Sequence, residues 1–246
     1  MQTFSDFELL VVGDGCTDDS EKVALSFGDA RIRWFNLQVN SGGQAIPNNH
    51  GILHSAGDYI AYLGHDDIWF PAHLESLLKT IEHVDADLAG SVAILYGPPE
   101  SGVAGVSGIF ASGAYSWNDF LPPSSILHTR ALVEKIGFWK EPMTIALPTD
   151  VEFQRRAFES GAKIVSSDQL TVFKFNAAWR RNSYLVKPTA EQEEMLNRIE
   201  SGIDFRQGAL IEVVRSFLAG KYVQIEAPAP SGAGRVCPKQ RALQRH

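Results

Sequence analysis

Phe7-Glu8-Leu9-Leu10-Val11-Val12-Gly13-Asp14-Gly15 is the stretch from which the fold is read. Its leucines and valines suit a strand buried on both faces, the setting of a parallel sheet. An acid between two glycines then ends the strand in a tight turn. Thr17 is placed to cap a following helix, with Asp18, Asp19 and Glu21 in a first turn where carboxylates complement the helix dipole. Ile32-Arg33-Trp34-Phe35 reads as a second strand. Asn40-Ser41-Gly42-Gly43 opens a loop-and-helix segment reaching Gly57, in which Pro47 is tolerable only near the helix start. A third strand, Asp58-Tyr59-Ile60-Ala61-Tyr62-Leu63, breaks at Gly64-His65-Asp66-Asp67. Pro71 starts a helix with Leu74, Leu77, Leu78 and Ile81 on a core-facing stripe. The alternation predicts an α/β fold with a mostly parallel central sheet flanked by helices.

Residues 97–125 are rich in glycine and proline and read as loop or edge strand. Helices are expected from about Arg130 to Ile136 and from about Asp150 to Glu159, with strands at Ala162-Lys163-Ile164-Val165 and running through Phe175. Two helical stretches follow Pro188. The second carries Leu210, Val213, Val214, Phe217 and Leu218 on one face, expected to close the core, with a partner contact as the alternative. From Ala227 the Ala-Pro-Ala-Pro-Ser-Gly-Ala-Gly run and the basic Arg235, Lys239, Arg241 and Arg245 predict a disordered tail. The expected division is thus residues 1–188, a helical extension at 189–226 and a tail at 227–246.

With 246 residues, 44% of them apolar, the chain is long enough for one well-buried domain. Its 22 basic and 29 acidic side chains give a net charge of −7, which argues against general nucleic-acid binding and leaves room for a divalent cation. No apolar run reaches the roughly 18–20 residues of a membrane span, and the start lacks a signal-peptide pattern, so a soluble, cytoplasmic body is expected. Cys16 and Cys237 are too few for a disulfide framework or a four-ligand zinc site.

In open parallel sheets ligands bind beyond the carboxyl ends of the strands, and two acidic groups fall there: Asp14, and Asp66 with Asp67. Adjacent carboxylates beside an apolar strand repel each other unless donors or a hard divalent cation compensate. The alternatives are turn formation and capping for Asp14 and Asp18, and helix capping by one of the adjacent pair.

The order of Phe7–Ser20, Asn40–Gly43 through Asn49-His50-Gly51-Ile52, and Ala56–Asp67 resembles glycosyltransferase family 2, enzymes of the GT-A fold. The resemblance implies a UDP- or GDP-sugar donor, a divalent metal (Mn2+ or Mg2+), and inverting transfer to a hydroxyl of a glycan or lipid-linked acceptor, as in cell envelope polysaccharide synthesis. By position, Asp14 matches the acid beside the nucleotide base, Asn49 and Asp66 fall on donor-binding positions, and Asp67 takes the metal position. Asp150, at a helix start, matches the general base, with Glu152 as runner-up. Pro122-Pro123-Ser124-Ser125-Ile126-Leu127-His128 lies where the acceptor side is shaped, so His128 is either an acceptor contact or a buried structural histidine. Arg180, in Trp179-Arg180-Arg181, either binds donor phosphates or sits on a solvated face.

Departures from the family pattern are Gly13 and Gly64 in place of acids and Asn48 in place of arginine. The family pattern begins with a strand and helix ahead of Gln2, so an N-terminally truncated fold is expected: a truncated reading of a longer gene, a gap covered by another subunit as in a homo-oligomer, or a fold with a weakened donor pocket. A non-catalytic nucleotide-sugar or glycan-binding relative is the alternative function. Peripheral contact of the basic tail with an anionic membrane face is a further expectation. A phosphoryl-transfer site on Asp14 and Asp67 stands last, for want of a phosphate-cradling glycine loop with lysine.

Overall fold

The computed structural model describes residues 2–98, 101–176, 180, 189–202 and 205–220. The opening stretch forms β1 (Leu9–Gly13), which pairs in parallel with β2 (Ile32–Asn36), Leu9 opposite Ile32 and Gly13 opposite Asn36. Parallel neighbours require a crossover, supplied by α1 (Ser20–Ser26). Among the described residues β1 pairs with β2, and most of its residues are half-buried rather than buried on both faces. Helix α2 (Ala45–His54), with Pro47 in its first turn, packs against β1.

The second sheet is built on a strand that the periodicity does not single out. β5 (Leu88–Tyr96) has all nine residues buried, but Gly90-Ser91 interrupts its apolar run, and a short apolar run does not separate strand from helix. It is flanked along its length by β8 (Ile164–Phe175) in parallel. Its other edge is shared by β7 (Ile126–Thr129) at Leu88–Gly90 and β6 (Val103–Ser107) at Ala93–Tyr96, both antiparallel. β3 (Tyr59–Ala61) adds antiparallel to β7, and β4 (Ile68–Trp69) antiparallel to β8. The order is β3-β7-β5-β8-β4, with β6 on β5.

The α/β architecture is therefore present, but strand directions are mixed where a mostly parallel sheet was expected. The link between β5 and β6 spans residues 97–102, too short for a crossover, so those strands can only meet as a hairpin.

Helix α3 (His73–Val84) buries Leu74, Leu77 and Ile81 against Ala89 of β5 and Leu127 of β7, as the stripe predicts. α4 (Arg130–Ile136) is capped by Thr129, whose hydroxyl accepts from the Leu132 amide at 3.2 Å, and stops at Gly137. α5 spans Thr149–Glu159, α6 Ala190–Glu200 and α7 Phe205–Leu218.

The apolar face of α7 does not close the core as expected. Of its five residues, Val213 packs beside Phe70, Tyr96 and Phe173, while Leu210, Val214, Phe217 and Leu218 are 53–78% exposed. The buried line of the helix runs through Ala209 and Ser216, whose small side chains let the helix lie close to the sheet and turn the larger residues outward. The boundary at residue 188 and the tail at 227–246 lie outside the described residues. Among the described residues no helix is long and apolar enough to cross a membrane.

Candidate active site

The Gly64-His65-Asp66-Asp67 turn joins β3 to β4, closed by the Asp67 amide donating to the Gly64 carbonyl at 3.1 Å. Because β4 runs antiparallel to β8 with Ile68 opposite Phe173, the residue just before β4 faces Lys174, and directly opposed side chains lie within contact. Asp67 Oδ2 accepts from Lys174 Nζ at 2.9 Å and from Ser124 Oγ at 2.5 Å, and Oδ1 accepts from the Phe175 amide at 3.0 Å. Its side chain has no exposure. A carboxylate holding three donors in a closed setting is an anchor, so the metal position expected at Asp67 is already filled by Lys174.

Asp66 is half-buried on the same turn, and its carbonyl accepts from Gln192 Nε2 of α6 at 3.2 Å. A Cβ on Gly64 would lie 3.0 Å from Asp67 Oδ2 and 3.1 Å from Asp66 Oδ1. The two carboxylates thus converge over a glycine, where an added side chain would crowd both. Among the described residues no group of three or more His, Cys, Asp or Glu side chains is placed to hold a metal ion. The donor set fits a hard divalent cation through Asp66 in company with ligand oxygens, since Mg2+ is commonly bound by one or two carboxylates plus phosphates.

Asp14, just beyond β1, accepts the Ser41 amide on Oδ1 at 2.7 Å, and its carbonyl accepts from Asn40 Nδ2 at 2.8 Å. Gly15 permits this clasp: its φ is +70°, and a Cβ there would meet the Asn40 nitrogen at 2.5 Å. At Gly13 a Cβ would lie 2.8 Å from Asn36 Oδ1 and 2.9 Å from the Trp34 ring. Side chains of β2 therefore occupy the space that an acid would need.

Asp150 stands in the first turn of α5, partly exposed, with Oδ1 accepting the Val151 amide at 3.0 Å. Burial pushes its pKa up, opposed by its backbone hydrogen bonds, by Lys174 and by a hydrogen bond with Gln44. The loop held by Asp14, the turn carrying Asp66 and the start of α5 thus meet around Gln44 and Lys174. Glu152 is committed elsewhere, at 3.0 Å from Arg156 and 2.8 Å from Lys140. Burial works against its charge, but those two cations hold its carboxyl below the usual range.

Three residues expected at the site do other work. Asn49 clasps the backbone of Trp139, its Nδ2 donating to the carbonyl and its Oδ1 accepting the amide, both at 2.9 Å. Arg180 uses all five of its N–H groups within the protein, on both oxygens of Glu191 and the carbonyls of Tyr96, Gly97 and Asn176. Its side chain is 8% exposed, so neither a phosphate nor bulk solvent is its partner. His128 is fully buried: Nδ1 donates to the Thr129 carbonyl at 2.8 Å, which leaves Nε2 to accept from Tyr62 Oη at 2.8 Å. Trp139 Nε1 donates to the same Tyr62 oxygen at 2.9 Å. Burial brings the His128 pKa down to about 4, and the buried structural reading of this histidine holds. Lys174 carries no signal in the sequence, since a single lysine inside Thr171-Val172-Phe173-Lys174-Phe175 forms no motif.

The family model for glycosyl transferase family 2 matches residues 1–124, half of the chain. The chain belongs to glycosyltransferase family 2. An uncharacterized glycosyltransferase of Rickettsia felis is 37% identical over 99 residues, covering 38% of this chain and 16% of the relative. The Escherichia coli UDP-Glc:alpha-D-GlcNAc-diphosphoundecaprenol beta-1,3-glucosyltransferase WfgD is 30% identical over 96 residues, 39% of this chain and 35% of the relative. The matched stretch therefore spans well under half of these relatives. Among solved structures, S. aureus TarS 1-349 in complex with UDP superimposes with a TM-score of 0.54 at 21% identity, over 71% of this chain and 53% of that one. That likeness confirms the GT-A fold of this family 2 chain.

Proposed function

We propose that this family 2 chain moves a sugar from a nucleotide-diphosphate sugar, in the first place a UDP-sugar, to an acceptor hydroxyl with inversion, and that Asp150 is the general base. The observation that supports it is Asp150 itself, in the first turn of α5, raised above its ordinary pKa by burial and acting electrostatically on Lys174, which Asp67 holds under the Asp66-Asp67 turn. A carboxylate tuned upward is better matched to proton abstraction near neutral pH. The acceptor oxygen bonds to the anomeric carbon as the bond to the diphosphate breaks, and the hydroxyl proton passes to Asp150. A divalent cation (Mn2+ or Mg2+), held by Asp66 with the donor's phosphate oxygens, would offset charge on the departing diphosphate. The UDP bound to TarS and the UDP-Glc and diphosphoundecaprenol in the WfgD name favour a UDP-sugar and a lipid-linked acceptor.

A binding-only relative is the second reading, favoured by the commitment of Asn49 and Arg180 to internal contacts. The two are separated by a donor-hydrolysis and transfer assay with Mn2+ over UDP- and GDP-sugars. Asp150→Asn is expected to lower turnover by about 10²–10⁴-fold while leaving UDP binding in place. Equal turnover in the variant refutes Asp150 as base. A wild-type protein that binds UDP but turns over no donor supports the binding-only reading.

A further inference from the structure

Lys174 is the cation at the centre of the acidic site. β8 carries it under the β3–β4 turn, and Asp67 Oδ2 fixes its ammonium at 2.9 Å, with the lysine side chain 17% exposed and that of Asp67 closed to solvent. An ammonium has three hydrogens to donate. Asp67 takes one, and among the described residues no other acceptor is drawn to Nζ. Leaving N–H groups of a mostly buried cation unmatched is costly, so an acceptor from outside the protein suits the position. The neighbours are acidic: a Cβ on Gly64 would lie 3.0 Å from Asp67 Oδ2 and 3.1 Å from Asp66 Oδ1, and Asp66 and Asp150 both favour the charged form of this ammonium. Those acids with Asp67 keep it charged in spite of burial, its pKa lying above the usual lysine value. An incoming diphosphate brings its charge beside these carboxylates, a repulsion that a fixed ammonium relieves.

We infer that Lys174 is a donor-binding residue whose ammonium, fixed by Asp67, hydrogen-bonds the diphosphate of the nucleotide-sugar. The inference rests on the family reading of the donor and adds to it the residue that meets the phosphates. It also gives Asp67 its purpose, since the carboxylate aims the ammonium and leaves the remaining N–H groups for the ligand.

The test is calorimetric binding of UDP, UMP and uridine to the full chain, once with Mg2+ and once with EDTA. One charge-assisted hydrogen bond corresponds to roughly ten- to a hundredfold in affinity. Lys174→Met is expected to weaken UDP by that factor under both conditions while uridine binding stays unchanged, and Lys174→Arg, which keeps the charge, is expected to remain within about tenfold of wild type. Should Lys174→Met fail to fold with Asp67 left unpaired, the double variant Asp67→Asn/Lys174→Met removes both buried charges and is expected to show the same UDP loss. Unchanged UDP affinity in the variant, or an equal loss for uridine, overturns the inference and leaves the donor reading standing. A wild-type chain that binds none of the three ligands overturns both.

Discussion

Asp67→Asn is expected to unfold the protein far more readily while sparing its immediate neighbour's role. Both Asp67 oxygens face donors, Oδ2 meeting Lys174 Nζ and Ser124 Oγ and Oδ1 meeting the Phe175 amide. An asparagine in this place must turn its NH2 group toward one of those donors, whichever way it flips. The substitution also leaves the Lys174 ammonium, 17% exposed, without the carboxylate it is ion-paired to. Breaking a buried pair from one side costs about 3–5 kcal/mol. For a chain of this size 1 kcal/mol shifts the melting midpoint by about 2–4 °C, so a drop of about 6–20 °C is expected. Asp66→Asn, on the half-buried side of the turn, leaves the Asp67–Lys174 pair in place and is expected to lower the midpoint by less than Asp67→Asn does. Thermal melting by circular dichroism, with urea unfolding as a second measure, reads both variants. An Asp67→Asn midpoint within about 2 °C of wild type refutes the anchor role and returns Asp67 to the list of ligand candidates.

Two further expectations follow from the same geometry. Asp150 must be ionised to act as base and its pKa is raised by burial, so kcat/KM should rise with pH through a value above the ordinary carboxylate range. A profile from about pH 4 to about pH 8 in wild type and Asp150→Asn checks this, and a wild-type profile as flat as the variant's contradicts it. Stability runs the other way for this group: the folded state favours its protonated form, so its contribution is full below the unfolded pKa and is lost as pH rises through the folded value. Gly13→Asp, which places an acid where the family pattern has one, should destabilise rather than improve donor binding, because its Cβ would stand 2.8 Å from Asn36 Oδ1 and 2.9 Å from Trp34. Overpacking of this kind costs about 1–3 kcal/mol, and tighter UDP binding with an unchanged melting point would show the pocket to be roomier than described.

The parts of the fold legible in the sequence are those fixed by local signals. Gly13-Asp14-Gly15 ends β1, Gly137 ends α4, and the leucine stripe orients α3. β5 was not legible, although it is central. Gly90 breaks its run, and the reason for a glycine there lies elsewhere in the chain: a Cβ would stand 2.5 Å from Leu121. The outward turn of Leu210, Val214 and Phe217 on α7 has a similar cause. Periodicity gives a helix its apolar face but does not say that Ala209 and Ser216 are the residues the sheet can approach.

At the site, residue type identified candidates but not their duties, because each duty is set by a partner distant in sequence. Asn49 is tied to Trp139, His128 to Tyr62 and Asp67 to Lys174, and none of these pairs shares a motif. Asp66 and Asp67 show what decides between them. Asp66 belongs to the turn itself, whereas Ile68 entering β4 opposite Phe173 brings the residue before it, Asp67, against Lys174. The strand register thus separates anchor from ligand. A one-residue slip would exchange the two roles, which makes the two Asp→Asn variants at these adjacent positions a direct reading of the β4–β8 pairing.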